Sequence, residues 1–102
     1  MSVIETVRYR LKDGATTEEA VAAWEESQSF ARAQKGFLSR KIAVTAEGEF
    51  LDHVEWASMD DAKAASANFD PGKYPELLGL MKVLDESSMT MTHYEVMGDT
   101  TA

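Results

Sequence analysis

Three side chains stand where their surroundings could turn them to chemistry. Glu5 is the one acid in the alternating set Val3, Val7, Tyr9 and Leu11, and Asp52 is the one acid beside Phe50, Val54 and Trp56. A carboxylate set among apolar neighbours can take a proton from a substrate or hold a ligand hydroxyl. The plainer reading puts both at the ends of a sheet, solvated or paired with Arg8, Arg10 or Arg40. His93 shares a strand phase with Met91 and Glu95. Histidine is the residue best suited to move protons near neutral pH, although a lone strand histidine is also common as a structural residue. His53 is the weaker second candidate. Two histidines with scattered acids do not make a metal spacing, so no metal is expected. Trp56 and Tyr9, with Val7, Val54 and Met91, would form the walls of an aromatic-lined pocket; the same residues read equally as plain core. Met81 and Met89 could pad either.

The elements that must position these groups follow from periodicity. Residues 3–11, VIETVRYRL, alternate with period two and read as a strand. Lys12-Asp13-Gly14 breaks the pattern, and Thr16 with Glu19 forms a capping box that opens a helix over 17–34. Ala20, Ala23, Trp24, Ser27, Phe30 and Ala31 give that helix one packing face, with Trp24 expected to pack on a sheet. Lys35-Gly36 ends it. Strands are expected at 37–45 and 50–57, joined as a hairpin through Glu47-Gly48-Glu49. Ser58 and Asp61 cap a second helix, MDDAKAASANF. Two prolines and a glycine in 70–75 force a loop, ELLGLMKVL reads as a short helical segment, and the last strand is expected at 88–97. The domain is taken as 1–97, with 98–102 as a flexible tail.

Whole-chain properties exclude several function classes. A length of 102 residues fits one domain. The absence of cysteine removes disulfides, thiolate metal sites and thiol redox chemistry, and suits a reducing cytoplasm. Neither a signal peptide nor a membrane span is visible, so a cytoplasmic protein is expected. The net charge is −8, and residues 52–102 hold ten acidic side chains against three basic ones. That balance repels phosphate backbones, and no basic stripe is present, so nucleic acid is not an expected partner. Phosphate-binding glycine loops, dinucleotide fingerprints and nucleophile elbows are all missing.

The order β-α-β-β-α-β predicts an α+β, ferredoxin-like domain with a four-stranded antiparallel sheet and helices on one face. Its other face would be bare. If that face carried the Val, Tyr, Trp and Met side chains, a second copy would be needed to cover it, sheet against sheet.

Four stretches, RYRLKDG, KGFLSRK, FLDHVEWASMDDAKAA and MTMTHYEV, resemble the dimeric α+β barrel superfamily and, within it, the antibiotic-biosynthesis-monooxygenase-like domains. The resemblance implies a homodimer of facing sheets with a small-molecule pocket in each subunit. It also implies that the Trp56 phase lines the barrel, whereas apolar content alone would turn Val7, Tyr9, Val54 and Trp56 towards the helices; the resemblance is followed here. Some members oxidise phenolic polyketides with oxygen and no cofactor, and others degrade haem. The haem-degrading members carry an asparagine in the first strand, a tryptophan ending the third and a histidine in the second helix. Here the first position is Val7, Trp56 is present, and the helix has no histidine, so no cofactor is expected. The resulting expectation is a cofactor-independent monooxygenase-like enzyme on a small aromatic or phenolic substrate, with Glu5, Asp52 or His93 as the base. The alternatives are a non-catalytic ligand-binding or stress-associated dimer, and a barrel filled by its own side chains.

Overall fold

The alternating run at 3–11 becomes one of the two inner strands of the sheet. In the computed structural model, which describes residues 2–102, β1 (Val3–Leu11) pairs antiparallel with both β3 (Phe50–Trp56) and β4 (Leu84–Glu95), and β2 (Phe37–Val44) pairs with β3. The order is β2-β3-β1-β4, the ferredoxin-like arrangement expected from the element order. Helices α1 (Thr17–Glu26), α2 (Gln28–Ala33), α3 (Met59–Asn68) and α4 (Leu78–Val83) complete the fold, with a 3₁₀ turn at Pro75–Leu77 leading into α4. Among the described residues no helix is long and apolar enough to cross a membrane.

Local chemistry sets the boundaries. The capping box forms as expected: the Glu19 amide donates to Thr16 Oγ1 at 3.2 Å, and the Thr16 amide donates to Glu19 Oε1 at 2.9 Å. Ser58 Oγ accepts from the Asp61 amide at 3.1 Å and opens α3. Gly36 takes φ +81°, a left-handed conformation that the Cβ of another residue disfavours, and its carbonyl accepts from the Ala57 amide at 2.8 Å.

Two boundaries depart from the sequence reading. The helix expected over 17–34 is interrupted at Ser27, whose hydroxyl donates to the Trp24 carbonyl at 2.6 Å and competes with the backbone for it. The last strand begins at Leu84 rather than 88. Residues 84 and 85 pair with Leu11 and Arg10, and the register then slips before Thr90 pairs with Arg8. In the slip, Ser88 Oγ accepts from the Arg10 amide at 2.8 Å in place of a ladder partner, and the Asp85 carboxylate accepts from the Ser87 amide at 3.1 Å. Polar side chains thus stand in for backbone pairing and make a strand look like a turn.

The packing also decides which strand face is covered. Val3, Val54 and Trp56 pack on Ala62 and Ala65 of α3, while Tyr9, Phe50 and Leu84 pack with Ala20 of α1. The Trp56 phase therefore faces the helices, which corrects the expectation that it lines the bare side. Apolar content governs: burying Val3 alone, 1% exposed, contributes about 1.5–3 kcal/mol. The bare face instead carries Ile4, Thr6 and Arg8 with Leu51, His53 and Glu55, and Lys41, Ala43, Thr92 and the exposed Tyr94 beside them. It mixes polar side chains with Ile4, Leu51 and Tyr94, so the Val7, Tyr9, Val54 and Trp56 patch invoked to require a second copy is not on it.

Candidate functional site

Between the sheet and its helices lies a cavity of about 440 Å³. Its floor is the helix-facing phase of the sheet: Glu5, Val7 and Tyr9 from β1, Asp52, Val54 and Trp56 from β3, and Met91 from β4. Phe30, Leu77 and Leu80 close it from the helical side. The bulge that displaces β4 brings Glu86 and Met89 to the rim.

The two acids on this floor have different neighbours. Asp52 Oδ2 accepts from Arg40 Nη2 at 2.7 Å, while Oδ1 accepts from Arg40 Nε at 3.1 Å and from Trp24 Nε1 at 3.3 Å. Arg40 Nη1 donates to Ser27 Oγ and to Gln28 Oε1, both at 2.9 Å, and its guanidinium lies 4.9 Å from the centre of the Trp24 ring. Both side chains are nearly buried, at 7% and 13% exposed. Such a two-pronged pair occupies the lone pairs of the carboxylate. Trp24, read from the sequence as sheet packing, also orients Asp52, and Ser27 joins the helical break to the same network.

Glu5 is held from one side only. Its Oε2 lies 2.8 Å from His93 Nε2, its direct cross-strand neighbour, and accepts from Ser66 Oγ at 3.1 Å. Among the described residues no protein group bonds Oε1. His93 sits behind Glu5 and does not line the cavity. Ser66 went unnoticed in the sequence, yet it stands four residues after Ala62 and one after Ala65, on the buried face of α3; a hydroxyl at such a position was the available signal.

Two residues of the cavity wall carry a buried polar atom without a partner among the described residues, the Tyr9 hydroxyl and Trp56 Nε1. Tyr9 stacks on Phe50 with ring centres 5.5 Å apart. Burial, and then the nearby Asp52 charge, push its phenol up to about 12, so it remains a hydrogen-bond donor at neutral pH. His53 lies on the opposite, bare face, with its buried Nδ1 unpartnered among the described residues. No group of three or more His, Cys, Asp or Glu among the described residues is placed to hold a metal ion.

No family model and no curated protein matches this chain. Solved structures do. SnoaB from Streptomyces nogalater, described as a cofactor-independent oxygenase, superposes with a TM-score of 0.74 at 14% identity, covering 96% of this chain and 95% of its own. A protein from Chloroflexus aurantiacus, provisionally assigned as an antibiotic biosynthesis monooxygenase, gives 0.68 at 13% identity over 99% and 98% of the two chains. A dimeric protein of unknown function and ferredoxin-like fold from Bacteroides fragilis gives 0.63 at 16% identity over 93% and 96%. At such identities the likeness is one of fold: the chain shares the ferredoxin-like fold of these proteins.

Proposed function

We propose that the chain is a cytoplasmic homodimer whose cavity binds a small, partly aromatic molecule, and that it acts as a cofactor-independent oxygenase in which Glu5 is the base. The observation that carries this reading is the state of the Glu5 carboxylate. One oxygen is held by Ser66 and His93, while the other is bare beside an apolar cavity. A base so placed is oriented in advance and meets a substrate C–H or O–H without first shedding its own partner. SnoaB's description as a cofactor-independent oxygenase, on the same fold, supports the reaction class.

The chemistry balances without a further reductant. Glu5 takes a proton from an activated ring CH₂, and the resulting carbanion gives its electrons to dioxygen. One oxygen atom remains on carbon as a carbonyl, and the other leaves as water with the two hydrogens. His93, 2.8 Å behind Glu5, would pass the abstracted proton onward. Asp52 is then a positioning residue, because Arg40 and Trp24 occupy it.

A second copy is proposed to sit on the bare sheet face. The dimeric Bacteroides fragilis protein of like fold supports a dimer. Light scattering should report twice the 11.3 kDa chain mass; a lone chain would remove the facing-sheet dimer. Oxygen consumption over a panel of phenols and hydroaromatic ketones tests the reaction. Glu5→Gln should lower kcat by about 10²-fold or more, and His93→Ala should lower it less. No consumption with any compound would end the enzymatic reading. Thermal stabilisation by the same compounds without turnover would establish the ligand-binding alternative instead.

A further inference from the structure

The charges around the cavity restrict what can enter it. Three carboxylates border it, Glu5, Asp52 and Glu86, and the one cation in its wall, Arg40, is already committed to Asp52. Glu86, at the rim, has no basic partner among the described residues, while Glu5, within the wall, has only the His93 ring against Oε2, which leaves Oε1 open. At the same time a wall residue, Tyr9, carries a buried hydroxyl with no partner among the described residues, and Glu5 Oε1 is an unmatched acceptor. A buried donor without a partner is a standing penalty that a ligand oxygen removes.

Resting on the ligand-binding part of the reading above, we infer that this cavity selects uncharged ring compounds bearing a hydroxyl or carbonyl group and rejects their carboxylate counterparts, with Glu5 as the rejecting charge and Tyr9 as the donor to the ligand oxygen. Two unit negative charges roughly 5 Å apart, at an effective dielectric constant of about 20, repel strongly enough to lower affinity on the order of 100-fold. A hydroxyl group at the same place does the opposite, because it donates to Glu5 Oε1. Specificity of this kind comes from a repulsive element in addition to an attractive one.

The test uses two probes of one shape, 2-naphthol and 2-naphthoate, titrated calorimetrically at pH 7 into the full chain and into Glu5→Gln and Tyr9→Phe. The unsubstituted protein should bind the naphthol about 100-fold more tightly than the naphthoate. An apolar pocket alone also disfavours a carboxylate, so the deciding arm is Glu5→Gln, in which naphthoate should gain at least about tenfold while naphthol loses a few-fold. Tyr9→Phe should weaken naphthol about three- to tenfold. Equal binding of both probes, or a ratio that Glu5→Gln leaves unchanged, would overturn the inference while leaving the ligand-binding cavity in place. Binding of neither probe would remove the cavity reading itself, and the selectivity with it.

Discussion

Replacing Arg40 with methionine keeps most of the side-chain volume but leaves the Asp52 carboxylate buried with a single 3.3 Å hydrogen bond, from Trp24. The wild-type pair has two short contacts, at 2.7 and 3.1 Å, and both side chains are almost out of water. Breaking a buried pair from one side is costly because the remaining charge has lost its water and gained nothing, and the loss is about 3–5 kcal/mol. Ser27 Oγ and Gln28 Oε1 lose donors as well, which keeps the expectation at the upper part of that range. At roughly 4–8 °C per kcal/mol for a domain of about this size, the melting temperature should fall by more than 12 °C. The informative comparison is Arg40→Met with Asp52→Leu, which removes both charges together. Since two desolvated charges repay little of their own desolvation, the double variant should be more stable than Arg40→Met alone. Urea titrations at one fixed protein concentration measure all of this, because dimerisation makes the midpoint concentration-dependent. A loss below about 1 kcal/mol for Arg40→Met, or a double variant whose loss equals the sum of the singles, would refute the view that Asp52 is held as a buried ion pair.

Alkaline titration tests Tyr9. Its folded phenol is raised to about 12 from an unfolded value of 10.0, so the stability this contributes is complete below pH 10 and is lost as pH rises from 10 towards 12. The slope in that window should flatten in Tyr9→Phe, read by urea midpoints at successive pH values; an unchanged slope would place the cause elsewhere. At neutral pH, Tyr9→Phe should be neutral to slightly stabilising in the unliganded protein, since it deletes a buried hydroxyl that has no partner. Gly36→Ala should destabilise by at least about 1–2 kcal/mol, because φ is +81° there and the added Cβ would run into the Asp61 side chain. Adding Asp61→Gly, which removes the Cβ as well as the carboxylate, should recover only the steric part of that loss, measured by thermal melts of both variants.

The elements that carry their own local signals were legible in the sequence. Thr16 with Glu19, Ser58 with Asp61, and Gly36 each place a boundary through a side chain or a backbone conformation belonging to the residue itself, and the structure keeps all of them. The break at Ser27 and the early start of β4 were not legible, because each depends on a partner distant in sequence. Ser27 is engaged by Arg40, and residues 84–88 are recognisable as strand only once Arg10 and Leu11 lie beside them. The choice of sheet face shows the same division. Alternation gave the two sets of side chains, and their apolar content pointed the right one inward.

Why the two acids on one strand face end so differently follows from what stands opposite each. Asp52 is paired with Val7 on one side and Ile42 on the other, and the strand-neighbouring Arg40 reaches across to it from the edge strand. Glu5 has Val54 on one side and His93 on the other, so its cross-strand partner is a ring that approaches one oxygen from outside the cavity. A guanidinium matches both oxygens of a carboxylate at once, whereas an imidazole nitrogen and a serine hydroxyl converging on Oε2 leave Oε1 open. The sequence placed both acids in equivalent apolar alternations, and only the register, set by the hairpin on one side and the β4 bulge on the other, makes one of them a structural anchor and leaves the other with an open oxygen. If Glu5 acts because its second oxygen is open, then closing that oxygen should silence it without unfolding the chain. Val54→Asn, directly opposite Glu5, places a carboxamide donor beside it and should reduce turnover while leaving the Arg40–Asp52 pair intact, a result that kinetics and urea midpoints on the same sample would separate.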